Sequence, residues 1–269
     1  MNAVGLTNNK RSLIAKTLLL AAVGLGVSQS FAASFVTDFE MLDFTLPKDV
    51  VKICQDKDNC PVIEVQHLKS NQRWIDTAVN QRVNNLAINH GISDKAPSRA
   101  TSDQAAKTAL NDFSRAQFQD APTDAPWAYQ LSVTPNYIGH VNDIELIRID
   151  SYQFTGGAHG LPYSEHLMFD QKLKRQLKLN DILMTGKKPR FEALAKAAYK
   201  KWVSEFYDDI KDYEKSWPFS LTDNVTLTDK GVDIVYQPYA IAPYAAGMPT
   251  LSIPYQQLNG ILKPQYMVK

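Results

Sequence analysis

The chain has 269 residues, 44% of them hydrophobic and 21% charged, enough for one large domain or two small ones with a full core. Its 29 basic and 28 acidic side chains nearly cancel. That balance excludes the excess of Lys and Arg on which nucleic-acid binding rests.

The first element in chain order is a leader. Lys10, Arg11 and Lys16 stand in a stretch without acidic residues, Thr17 to Val27 is apolar, and Ser28-Gln29-Ser30-Phe31-Ala32-Ala33 follows. A basic start, a short apolar core and a small-x-Ala end are the parts of a cleavable secretory signal, with the cut expected between Ala32 and Ala33. The apolar stretch is well short of the ~20 residues that a spanning helix needs. No Cys follows the cut, which argues against a lipid anchor, and the mature chain has no further long apolar run. The expected location is therefore the periplasm, with no membrane span in the mature protein.

Cys54 and Cys60 are the only cysteines and enclose the polar loop Gln55-Asp56-Lys57-Asp58-Asn59. In an exported chain such a pair reads as a structural disulfide. A metal site lacks further ligands nearby, and a redox motif wants two intervening residues rather than five.

The runs Val50-Val51-Lys52-Ile53 and Pro61-Val62-Ile63-Glu64-Val65 predict short strands on either side of that loop. Trp74, Ala78, Val79, Val83, Leu86 and Ala87 then share one face of a helix, with Gly91 placed as its C-terminal cap. A polar loop from Ser93 to Thr101 leads to a second helix carrying Ala105, Ala106, Ala109, Leu110 and Phe113, stopped by Pro122 and Pro126. Trp127, Tyr129, Leu131 and Val133 alternate as a strand.

A second half begins near residue 140. Ile144 to Phe154 and Ser164 to Phe169 read as strands joined through a glycine cluster, and Asp170-Gln171-Lys172 as a turn. Phe191, Leu194, Ala195, Ala198, Tyr199, Trp202 and Phe206 mark the longest amphipathic helix. Val225 to Leu227 and Val232 to Tyr236 form a hairpin through Asp229-Lys230-Gly231. Leu251 to Ile253 is a last strand, and Tyr255 to Leu262 a terminal helix started by Pro254. Strands that run together with helices set apart predict an α+β fold of mixed or antiparallel sheets with segregated helices. Two packed subdomains are expected: residues 33–139, holding the disulfide, and residues 140–269.

Three stretches carry a family resemblance. They are Tyr152-Gln153-Phe154-Thr155-Gly156-Gly157-Ala158-His159-Gly160, Phe169-Asp170 with Leu177-Lys178-Leu179-Asn180-Asp181-Ile182-Leu183, and Tyr239 to Gly247 with Ile253-Pro254-Tyr255-Gln256-Gln257-Leu258. Together they resemble the extracellular domain of the anti-sigma-V factor (RsiV) family, a domain that also accompanies some peptidoglycan deacetylases as a noncatalytic module. Residues 60–88 more loosely resemble the domain that precedes it there. The resemblance implies function by binding, since the founding member is a sensor whose outer domain binds lysozyme directly. This chain shows a leader in place of the cytoplasmic anti-sigma segment and membrane helix, and no deacetylase domain. Neither sigma-factor control nor deacetylation therefore carries over.

The Gly-Gly-Ala-His-Gly turn is the first candidate site. Glycines 156, 157 and 160 permit positive φ and close approach of a partner, and Thr155 and His159 flank or crown the turn. His159, Glu165 and His166 are conceivable metal ligands, but their spacing matches no established ligand pattern, so neither metal nor cofactor is expected. Gly-x-Ser-x-Gly and phosphate-cradling motifs are missing, which argues against an enzyme. Tyr236, Tyr239, Tyr244 and Tyr255, interleaved with prolines, read either as a contact surface or as ordinary packing. A basic run (Lys172, Lys174, Arg175, Lys178, Lys187, Lys188 and Arg190) and an acidic run (Glu205, Asp208, Asp209, Asp212 and Glu214) read first as solvated surfaces. The acidic run would also steer a cationic partner. The function expected is noncatalytic binding of a lysozyme-like muralytic enzyme or a peptidoglycan fragment, through Thr155, Gly156, Gly157, His159, Gly160, Tyr239 and Tyr244. The alternatives are a wall hydrolase working through the His159 region and a structural envelope protein.

Overall fold

The computed structural model describes residues 35–98, 100–122 and 125–268, so the predicted leader and its cut lie outside the described residues. One unit runs from Phe35 onward. Its six-stranded sheet has the order β1-β2-β3-β4-β5-β6, built from Thr37–Met41, Val62–Ser70, Gln130–Val141, Ile144–Phe154, Leu161–Asp170 and Arg175–Leu177. Only β2 and β3 pair in parallel, because two helices, α2 (Arg73–Ile88) and α3 (Asp103–Asp120), intervene between them. A second sheet, β7-β8-β9, is antiparallel and comprises Val225–Leu227, Gly231–Val235 and Thr250–Pro254. The α+β class and mixed sheets follow the sequence reading.

Side-chain alternation along β4 and β5 divides the interior in two. Ile147, Ile149, Leu167 and Phe169 join the apolar faces of α2 and α3, including Val79, Val83, Leu110 and Phe113. Leu146 and Met168, one residue out of step and therefore on the opposite face, join the second sheet, the one-turn helix α4 (Leu179–Ile182) and α5 (Lys188–Ser204), whose Phe191, Ala195, Tyr199 and Val203 are buried. The boundary expected at residue 140 falls within β3, and the two cores share β4 and β5 as a common wall.

Two local assignments are corrected. The terminal helix expected over Tyr255 to Leu262 stops after one turn at Leu258, and Leu262 instead bridges to Leu183. Val50 to Ile53 is not a strand but part of helix α1, Lys48–Cys54. Pro47 precedes its first turn, and Val50 and Cys54, four residues apart, are the residues it buries, while Ile53 stays 46% exposed. A four-residue apolar run fits both periods, and here the helical one prevails. The disulfide Cys54–Cys60 is formed, with Cα atoms 4.7 Å apart. Gly91, at φ +95°, closes α2 by donating its N–H to the Leu86 carbonyl at 2.7 Å. Strand β1 gave no sequence signal because most of it is exposed at a sheet edge. The same holds for the short helix α6 (Ile210–Ser216), between α5 and β7, which buries only Tyr213.

Candidate functional site

The β4–β5 connection and the segment after β8 meet at the surface. The imidazole of His159 stacks on the ring of Tyr244 with centroids 3.7 Å apart and planes inclined by 14°. Tyr239 lies against the same Tyr244, 5.6 Å away. Both side chains are fixed to the turn backbone. Tyr244 donates its hydroxyl to the Gly160 carbonyl at 2.8 Å, and His159 Nδ1 is 3.0 Å from that same oxygen. Tyr239 is 49% exposed and has φ +67°, a conformation a bulky residue adopts only when its surroundings enforce it.

The glycines that frame this patch have separate reasons. A Cβ on Gly156, which has φ +99°, would lie 2.7 Å from the indole nitrogen of Trp127. One on Gly160 would strike the Tyr152 hydroxyl. Gly157, at φ +94°, faces open space, and Thr155 is exposed beside it. Of the residues singled out in the sequence, His159, Gly160, Tyr239 and Tyr244 are thus in direct contact. Gly156 supports them from below, and Thr155 and Gly157 lie at the margin.

The conceivable metal trio is not assembled. Glu165 and His166 are neighbours on β5 and point to opposite faces of the sheet. Glu165 is ion-paired with Arg82, and His159 is stacked on Tyr244. Among the described residues no cluster of three or more His, Cys, Asp and Glu side chains is placed to hold a metal ion. The basic run is distributed among partners: Lys172 with Asp143, Arg175 with Asp181, Lys188 with Asp223, and Lys174 over the Trp74 ring. In the acidic run, Asp209 caps α6 and Asp212 pairs with Lys215, while Glu205 and Asp208 stay exposed.

A second feature was not assembled by the sequence, although Glu165 and His166 within it stood out singly. Between α2, the loop after it, β5 and the start of β7 lies a cleft of about 510 Å³. Its floor is organised by Arg82, a buried guanidinium that donates to Glu165, to Asn85 Oδ1 at 2.6 Å, and to the carbonyls of Ser93 and Lys95. The Tyr163 hydroxyl, also on the Ser93 carbonyl, lies 3.3 Å from the same guanidinium. His166 lines the opposite side. Burial holds its imidazole below the usual histidine range, and its Nδ1 is buried with no hydrogen-bond partner among the described residues.

The α+β scaffold thus holds a cluster of three rings, His159, Tyr239 and Tyr244, at its surface. Residues 180–256 match the model of DUF3298, described as a protein family of unknown function, so the chain carries a DUF3298 domain. A solved structure of a DUF3298 family protein from Pseudomonas aeruginosa PAO1 is similar to it at 27% identity and TM-score 0.61, over 87% of this chain and 94% of that one. A DUF3298 family member from Bacteroides fragilis, at 19% identity and TM-score 0.61 over 86% and 95% of the two chains, shares the fold. Comparison with curated proteins gives no match.

Proposed function

We propose that the protein is an exported, noncatalytic binding protein of the periplasm that recognises a lysozyme-like muralytic enzyme or a peptidoglycan fragment, in the manner of the RsiV-type extracellular domains. The observation that carries this reading is the ring cluster of His159, Tyr239 and Tyr244. Rigid Tyr side chains lose little entropy on contact and dominate protein interfaces, and their faces also stack on sugars. The left-handed backbone at Tyr239 adds support, because such strain persists where a side chain must be presented in one fixed direction. The exposed part of the acidic run would speed the approach of a cationic enzyme. Binding would inhibit or sequester the partner.

The test is a calorimetric titration of the mature chain, residues 33–269, into lysozymes of several types and into soluble wall fragments, with lysis of wall suspensions followed in parallel. Saturable binding with loss of lysis is expected, weakened about tenfold or more in Tyr244→Ala, as for a hot-spot residue. Absence of binding to every probe would overturn the proposal. Wall turnover by the protein itself, lost in His159→Ala, would replace it with a hydrolase.

A further inference from the structure

The cleft beside β5 is separate from the ring cluster, and its ligand class can be argued from what it offers. We propose that it is a second binding site, for a short uncharged glycan. Its volume, about 510 Å³, falls within the ~300–1,000 Å³ of small-molecule sites, too large for a few structural waters.

Charge decides against an ionic ligand. The cationic side chains that line it, Arg82, Lys95 and Lys178, are matched by Asp94, Glu165 and Asp223. The innermost of these, Arg82 and Glu165, already neutralise one another. A phosphate or carboxylate ligand would meet no uncommitted buried cation, and a cationic ligand no uncommitted buried carboxylate.

The backbone decides against an extended peptide. Beyond its short pairing with β6, which covers only Met168 to Asp170, β5 has a strand-free edge along the cleft. Such an edge would ordinarily accept an added strand. Here its hydrogen-bonding groups are occupied by two side-chain amides. Asn224 accepts from the His166 N–H at 2.8 Å and donates to the Ser164 carbonyl at 2.9 Å. Gln237 accepts from the Ser164 N–H at 3.1 Å and donates to the same carbonyl at 2.6 Å.

What remains available is a mixture suited to sugars. The ring of Tyr163 and the apolar surface of Ala96 and Pro97 can meet the C–H face of a pyranose. Gln176 and Thr222 supply uncharged hydrogen-bonding groups for hydroxyls. His166 lines the cleft, and its buried Nδ1, which has no hydrogen-bond partner among the described residues, adds one more.

The experiment is NMR titration of the mature protein with three neutral or charged probes: an N-acetylglucosamine trimer, a cellotriose, and an anionic tripeptide. The expected result is saturable shifts of the His166 and Tyr163 ring signals with one or both glycans and none with the peptide. Gln176→Trp, an exposed strand position whose enlarged side chain fills the cleft, should weaken glycan binding about tenfold or more. The glycan-induced shifts of His166 and Tyr163 should persist in Tyr239→Ala, which separates this site from the ring cluster. Shifts confined to Tyr239 and Tyr244, response to the peptide alone, indifference to Gln176→Trp, or no saturable shift with any probe would each overturn the assignment. None of those outcomes would touch enzyme binding at the ring cluster.

Discussion

Replacing Arg82 by Met tests how the cleft is built. Met keeps the length and apolar stem of the side chain and removes every donor. The guanidinium has side-chain exposure of only 8% and its partner Glu165 23%, so the pair is largely withdrawn from water. Deleting one member of such a pair leaves the other charge buried and uncompensated, which costs ~3–5 kcal/mol. The Lys95 carbonyl loses its donor at the same time, that of Ser93 keeps only the Tyr163 hydroxyl, and the loop they belong to loses its anchor to α2. For a protein of this size that loss corresponds to a fall in Tm of roughly 6–20 °C. Glu165→Gln should cost less, ~1–3 kcal/mol, because Arg82 keeps Asn85 and the two carbonyls. The assay is urea unfolding of both single variants and the double variant, with limited proteolysis of the 93–98 loop. The double variant should be less destabilised than the sum of the singles. A cost for Arg82→Met within the ~0.5 kcal/mol of an ordinary surface change would refute the reasoning.

Three further outcomes follow from local geometry. Gly156→Ala should destabilise by ~1–3 kcal/mol and perturb Trp127 fluorescence, since the methyl group meets the indole at a positive φ; a neutral thermal shift would contradict this. Replacing both Cys54 and Cys60 by Ser should cost ~2 kcal/mol, because the bridge spans only six positions, and loss of all folding would show a larger role. The imidazoles of His90 and His166 are both held below the free value of 6.5 by burial, so the unfolded chain binds protons more readily than the native one. Stability should therefore be full above about pH 6.5, fall as the pH drops through that value, and level off below the native pKa values. For His166 the neighbouring charges are Arg148, Asp150 and Asp233. Urea midpoints measured over this interval should flatten in His166→Gln, and an unchanged slope would show that the dependence arises elsewhere.

The sequence by itself determined the elements whose signals are local. Helices α2, α3 and α5 were legible because their apolar residues recur at three- and four-residue steps, and β4 and β5 because they are long and bounded by turn residues. The disulfide was legible from two cysteines enclosing a short polar loop, and Gly91 as a cap from its position after the last apolar residue of α2. The turn at 155–160 and the tyrosines at 239 and 244 stood out individually as well. Their assembly did not, because contact between His159 and Tyr244 is set by how β4, β5 and β8 bring distant chain segments together. Tertiary structure also chose helix over strand for Val50 to Ile53, where burying Val50 and Cys54 on one face settled an ambiguous run. It alone made the cleft: Arg82 and Glu165 are 83 positions apart, and no pattern in the sequence joins them until α2 packs over β5 and withdraws both from water.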